Sequence, residues 1–85
     1  MDISREEQRV LHILAQGGFI NLIKNERGKF AGVECFNREG WRIDGLTIHL
    51  FRKLRNKDAI ASRESGPYRI TRRGLELVRG QVDNR

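Results

Sequence analysis

Four polar side chains, His49, Arg52, Lys53 and Asn56, recur at spacings of three and four, which lines them along one face of a helix. A guanidinium, an ammonium and an amide in that arrangement can reach phosphates or base edges in a groove, with the imidazole beside them. The same cluster also reads as a solvated helix face, the commoner meaning of surface charge. Arg63 and Arg69 fall on opposite arms of an expected hairpin, and Arg72-Arg73 follow at once. Arginines at the tip of such a wing can grip a sugar–phosphate backbone. Equally, they can neutralise Glu64 and Glu76 and keep the domain soluble.

The charge distribution raises the functional meaning of these cations. Residues 1–44 hold seven Lys/Arg and seven Asp/Glu, which cancel, whereas residues 45–85 hold ten against four and so carry the entire +6. A basic half of this kind favours acidic partners, such as duplex DNA bound weakly and without sequence preference, or an acidic protein patch.

Catalytic chemistry has little to stand on. His12, His49 and Cys35 are the only soft metal ligands, and a zinc site needs three or four at set spacing. Ser4 is better used as a helix cap than as a nucleophile. Gly17-Gly18 lacks the strand, loop and lysine of a phosphate-binding loop. An enzyme is not expected, and neither a metal nor a cofactor is called for. His12 is expected on the outer face of the first helix, and Cys35 is expected to pack as a small apolar residue.

The elements that must position the cations follow from periodicity. Ser4–Gln16 reads as a helix opened by a Ser4/Glu7 capping box, with Val10, Leu11, Leu14 and Ala15 as its apolar stripe and Gly17-Gly18 as its stop. Phe19–Lys24 and Phe30–Phe36 read as a hairpin around Asn25-Glu26-Arg27-Gly28, with a short further strand at 41–43. Asp44 is the expected cap of a second helix running to Asn56, with Leu46, Leu50, Phe51 and Leu54 inward. Ile60–Arg63 and Tyr68–Ile70 form a second hairpin across Glu64-Ser65-Gly66-Pro67. Thr71 then caps a third helix with Leu75, Val78 and Val82 inward. Phe19 and Trp41 are expected to pack in the core, with a homodimer or partner surface as the alternative, which the off-stripe position of Leu77 also favours.

The 85 residues make one domain, 1–85, and 38% apolar content is enough for one core. No apolar run approaches the ~20 residues of a membrane span, the N-terminus lacks a signal-peptide core, and a single cysteine forms no internal disulfide. A cytoplasmic protein with no membrane partner is expected. The fold class is α+β, a winged-helix-like domain of order α-β-β-α-β-β-α.

The run Ser4-Arg5-Glu6-Glu7-Gln8-Arg9, followed by Leu11-His12, Leu14-Ala15 and Gly17-Gly18, resembles the YjhX family of topoisomerase-inhibitor toxins. The resemblance continues through Val33-Glu34-Cys35, Arg38-Glu39-Gly40, Lys53-Leu54, Pro67-Tyr68-Arg69-Ile70, Gly74-Leu75, Val78-Arg79 and Asp83-Asn84-Arg85, covering essentially the whole chain. It implies a bacterial cytosolic toxin of a toxin–antitoxin pair that inhibits DNA topoisomerase I, with an acetyltransferase-like antitoxin. It assigns no active-site residues. The charge of +6 constrains how such inhibition works, because imitation of DNA requires negative charge. Covering the DNA and docking on an acidic patch of the enzyme both remain. A winged-helix transcriptional regulator is the alternative, although residues 19–43 read as strands where a helix–turn–helix places its supporting helix.

Overall fold

Helix α1 (Arg5–Ala15) begins on the expected reciprocal cap. The Glu7 N–H donates to Ser4 Oγ at 3.1 Å and the Ser4 N–H donates to Glu7 Oε1 at 2.7 Å, so two orphan donors of the first turn are satisfied. The helix ends on Gly17, whose φ of +108° only glycine adopts freely. The Gly17 and Gly18 N–H groups return to the Leu14 and Ile13 carbonyls at 3.0 and 3.1 Å. Gly18 must also remain bare, because a Cβ there would lie 2.5 Å from the Phe36 carbonyl oxygen. The computed structural model describes residues 3–80.

The first hairpin falls where the alternation placed it: β1 is Phe19–Lys24 and β2 is Phe30–Phe36. Asn25 Oδ1 accepts from the Arg27 and Lys29 N–H groups, and Gly28 turns the chain at φ +77°. A register shift at Ile23/Lys24 bends the far end of this arm. Strand β3 is only Arg42–Ile43.

Helix α2 (Ile48–Asn56) starts later than expected. Its cap is Thr47, whose Oγ1 accepts the Leu50 N–H at 3.0 Å, and not Asp44. Gly45, at φ +112°, breaks the chain before the helix can begin, and the Asp44 carboxylate turns to Arg42 instead, at 3.2 Å. At the other end, Asp58 takes the left-handed conformation at φ +59°. The Asp58 and Ala59 N–H groups donate to the Arg55 and Leu54 carbonyls, closing the helix as glycine usually does.

Strands β4 (Ile60–Ser62) and β5 (Tyr68–Ile70) form the second hairpin, and Thr71 caps α3 (Arg72–Arg79). The Thr71 hydroxyl accepts the Gly74 N–H at 3.0 Å and donates to the Asp58 carbonyl at 2.6 Å, so one side chain fastens the start of α3 to the end of α2. All five strands join one antiparallel sheet of order β3-β2-β1-β5-β4.

The core lies between one face of this sheet and the three helices. Ile20, Cys35 and Ile60 meet Val10, Leu11, Leu14, Leu50, Phe51, Leu54 and Leu77, with Ile70 and Val78 packed against them. Helix α3 is rotated from the expected stripe: Leu77 is buried, whereas Leu75 is only partly so. Gly74 sets this rotation. It lies against the Ala59 carbonyl so closely that no Cβ fits, which turns positions 74, 77 and 78 inward. The expected core position Val82 lies outside the described residues.

Candidate nucleic-acid and partner interface

Helix α2 buries Leu50, Phe51 and Leu54, so His49, Arg52 and Asn56 point outward and are exposed, while Lys53 is half-buried on the flank. Arg55, outside the expected polar face, joins this surface. Its guanidinium stands over the Phe51 ring, 5.6 Å from the centroid. Phe51 is itself fixed by edge-on packing against Tyr68 at 5.0 Å. The spacing of four between Phe51 and Arg55 was the available signal.

Lys57 likewise lies outside the expected polar face, and it is structural. Its ammonium lies 2.8 Å from the carboxylate of Glu7, whose side chain is 1% exposed. Burial pushes the Glu7 carboxyl up, but the hydrogen bonds from Lys57 and Ser4 and the charge of Lys57 more than offset this and hold it below its ordinary value.

The wing arginines form a second group. Arg63, Arg69 and Arg72 line one groove with Ala61, Pro67 and Thr71. Tyr68 faces α2 through Phe51, so the next residue, Arg69, alternates to the opposite face of the sheet. There it lies over Phe19, 5.3 Å from the ring centroid, and Phe19 stacks on Phe36 at 5.2 Å. Arg42 pairs with Phe36 across the next strand boundary, so arginine, phenylalanine, phenylalanine and arginine run in one row across the helix-free face. The tip of the wing is strained. Glu64 and Ser65 sit at φ +55° and +63°, closed by the Gly66 N–H on the Arg63 carbonyl.

The eight polar residues singled out from sequence therefore divide between two faces. His49, Arg52, Lys53 and Asn56 belong to α2, whereas Arg63, Arg69 and Arg72 belong to the back of the wing. Arg73, on α3, has its charge partly met by Glu76 at 3.9 Å. Among the described residues, no carboxylate lies within 4.0 Å of Arg52, Arg55, Arg63, Arg69 or Arg72.

The apolar candidates separate as well. Leu77 is core, Phe19 is half-buried in its stack, and Trp41 is 71% exposed. Leu22, Ile23 and Phe30 on the β1–β2 arm are also exposed and were not singled out by the sequence. Cys35 is buried. Burial pushes its thiol up, with Arg9 pulling weakly the other way, which keeps it protonated near neutral pH. His12 is exposed and contacts Gln16 at 3.3 Å. No described helix is long and apolar enough to cross a membrane.

Among the described residues, three helices lie against one face of a five-stranded antiparallel sheet in a small basic α+β domain, and arginines with no carboxylate within 4.0 Å stand on two of its surfaces. The chain belongs to the YjhX toxin family, whose model matches residues 1–85 and is described as "Putative toxin of bacterial toxin-antitoxin pair". It is 62% identical to a UPF0386 protein of Chelativorans sp. (strain BNC1) over 85 residues, the whole of both chains. It is 60% identical to a UPF0386 protein of Hyphomonas neptunium over 84 residues, 99% of each chain, and 56% identical to one of Rhizobium rhizogenes over 85 residues, all of each. No solved structure matches the chain significantly.

Proposed function

We propose that this chain is a non-enzymatic inhibitor of bacterial DNA topoisomerase I. It acts by binding the enzyme, its DNA, or both through its basic half, and an acetyltransferase-like antitoxin relieves it. The observation that carries the reading is the set of exposed arginines on α2 and the wing that have no acidic partner among the described residues, in the half that holds the whole net charge. His49, Arg52, Lys53, Asn56, Arg63, Arg69, Arg72 and Arg73 are the proposed contact residues. Positive charge of this size suits an acidic enzyme surface or phosphates, and it opposes imitation of DNA.

A winged-helix transcriptional regulator would use α2 to read a groove, and it needs a supporting helix just before it. Strand β3 and the Asp44–Thr47 segment occupy that place, which weighs against sequence-specific readout. Purified topoisomerase I mixed with the chain in the absence of DNA separates the two readings. The inhibitor reading is supported by a complex that survives gel filtration at low salt. A chain that ignores the enzyme yet binds one DNA sequence selectively would be a regulator.

A further inference from the structure

Between the β1–β2 arm and α2 lies a shallow depression lined by Leu22, Phe30, Phe51, Arg52 and Arg55. We infer that it binds an unpaired base of a single-stranded nucleic acid, with Arg52 and Arg55 holding the adjoining phosphates.

Three observations converge on this ligand. First, Phe30 is 42% exposed and Leu22 38% exposed, although both face α2 across the depression. An aromatic ring left open beside arginines is a stacking surface, because every base has a π-face. Second, the Arg55 guanidinium carbon lies 5.6 Å from the centroid of the Phe51 ring, a cation–π distance, which holds the guanidinium at the edge of the depression where a base can stack on it. Third, the site is uniformly positive. Neither Arg52 nor Arg55 has a carboxylate within 4.0 Å among the described residues, and none lines the depression. Continuing along the arm, the segment from Lys24 to Lys29 carries Lys24, Arg27 and Lys29 against Glu26 alone, which would hold the backbone of a strand leaving the depression. A duplex buries its base faces and cannot use Phe30. The site is therefore selective for unpaired strands, in contrast to the non-specific attraction of +6 for any polyanion.

The inference stands apart from the topoisomerase reading, since it needs no enzyme. Fluorescence anisotropy at moderate salt tests it with four labelled probes: oligo-dT of 20 nucleotides, an abasic strand of equal length and charge, oligo-U, and a 20-base-pair duplex. The expected result is that oligo-dT binds roughly tenfold more tightly than the abasic strand and more tightly than the duplex. Phe30→Ala should remove the preference over the abasic strand while leaving the abasic affinity unchanged. Arg55→Gln should weaken both. Ile23→Ala serves as control: Ile23 is as exposed as Leu22 but lines a different groove, and its loss should change nothing. Oligo-U bound as well as oligo-dT assigns any single strand as ligand, and a preference for one of them shows that the depression reads the 2′-hydroxyl or the thymine methyl. Equal affinity for oligo-dT and the abasic strand, a folded Phe30→Ala variant that keeps the preference, or tighter binding of the duplex would each overturn the inference. The last two results would redirect the depression to an acidic protein segment or to groove contacts.

Discussion

Glu7 joins two tasks in one buried carboxylate: it closes the first turn of α1 by accepting the Ser4 N–H, and it pairs with Lys57 fifty residues away. Nothing in the sequence reveals the last of these, because the pairing exists only after α1 and α2 have packed. Removing the ammonium by Lys57→Ala leaves a buried charge without its partner and should cost about 3 kcal/mol in urea melts. The pH dependence has a definite sign. The folded carboxyl titrates below its ordinary value, so its contribution to stability is fully present above the unfolded pKa, ~4.3. It is lost as pH falls through the lower folded value. Glu7→Gln should therefore flatten the decline of stability below pH ~4.3 relative to the unmodified chain. An identical acid profile in the two proteins would mean that Glu7 is not held ionised. The same reliance on tertiary contact explains why Leu77, off the apolar stripe in sequence, is core in the fold, whereas the burial of Cys35 and the exposure of Arg52 follow from residue type and helical spacing.

At the level of elements, the most informative positions are those where the backbone decides. Gly74 has no room for a methyl group against the Ala59 carbonyl and Ile70, so Gly74→Ala should cost about 3 kcal/mol although alanine is the better helix former. Asp58 closes α2 at φ +59° with a carboxylate at the negative end of the helix dipole. Asp58→Gly should accordingly raise stability by about 0.5–1 kcal/mol, readable as a higher denaturation midpoint with unchanged slope. The same two residues show what the sequence could tell. Local caps and turns are legible: Ser4 with Glu7, the turn from Asn25 to Gly28, and Thr71 at the head of α3 all do what their spacing implies. Glycine is legible as a helix stop or a turn, at Gly17 and Gly28, but not as a packing contact, because a residue without a side chain contributes nothing to an apolar stripe. The inward face of α3 was therefore drawn through Leu75 instead of Gly74 and Leu77. Gly45 conceals the true start of α2 in the same way, so that in sequence Asp44 reads as the cap that Thr47 provides. The division of the arginines into two faces was available in principle, since Tyr68 and Ile70 point inward and strand alternation sends Arg69 the other way.

For the whole molecule, the division of charge matters more than its total. The α2 face and the back of the wing lie on opposite sides of the sheet, and the shortest extent of the protein is 23 Å. That is about twice the screening length of ~10 Å at 0.1 M salt, so the two faces act as separate patches. One duplex engages one face at a time. If the engaged face neutralises about three phosphates, one for each of its cations, the slope of log K against log salt should be near −2.7. Arg52→Ala with Arg55→Ala should lower its magnitude by roughly 2 if α2 is the duplex-binding face, and should leave it unchanged if the wing is. The central claim, that exposed positive charge is what inhibits a topoisomerase, is tested most directly by relaxation of supercoiled plasmid by topoisomerase I in the presence of the chain. The unmodified protein should inhibit, most strongly at low salt. The double variant Arg52→Glu, Arg63→Glu reverses one exposed charge on each face and lowers the net charge from +6 to +2, each reversal removing two units. It should need roughly tenfold more protein for the same inhibition. Undiminished inhibition by that variant, shown by its melt to be folded, would contradict the account and leave Trp41 and the exposed apolar residues of the β1–β2 arm as the working surface.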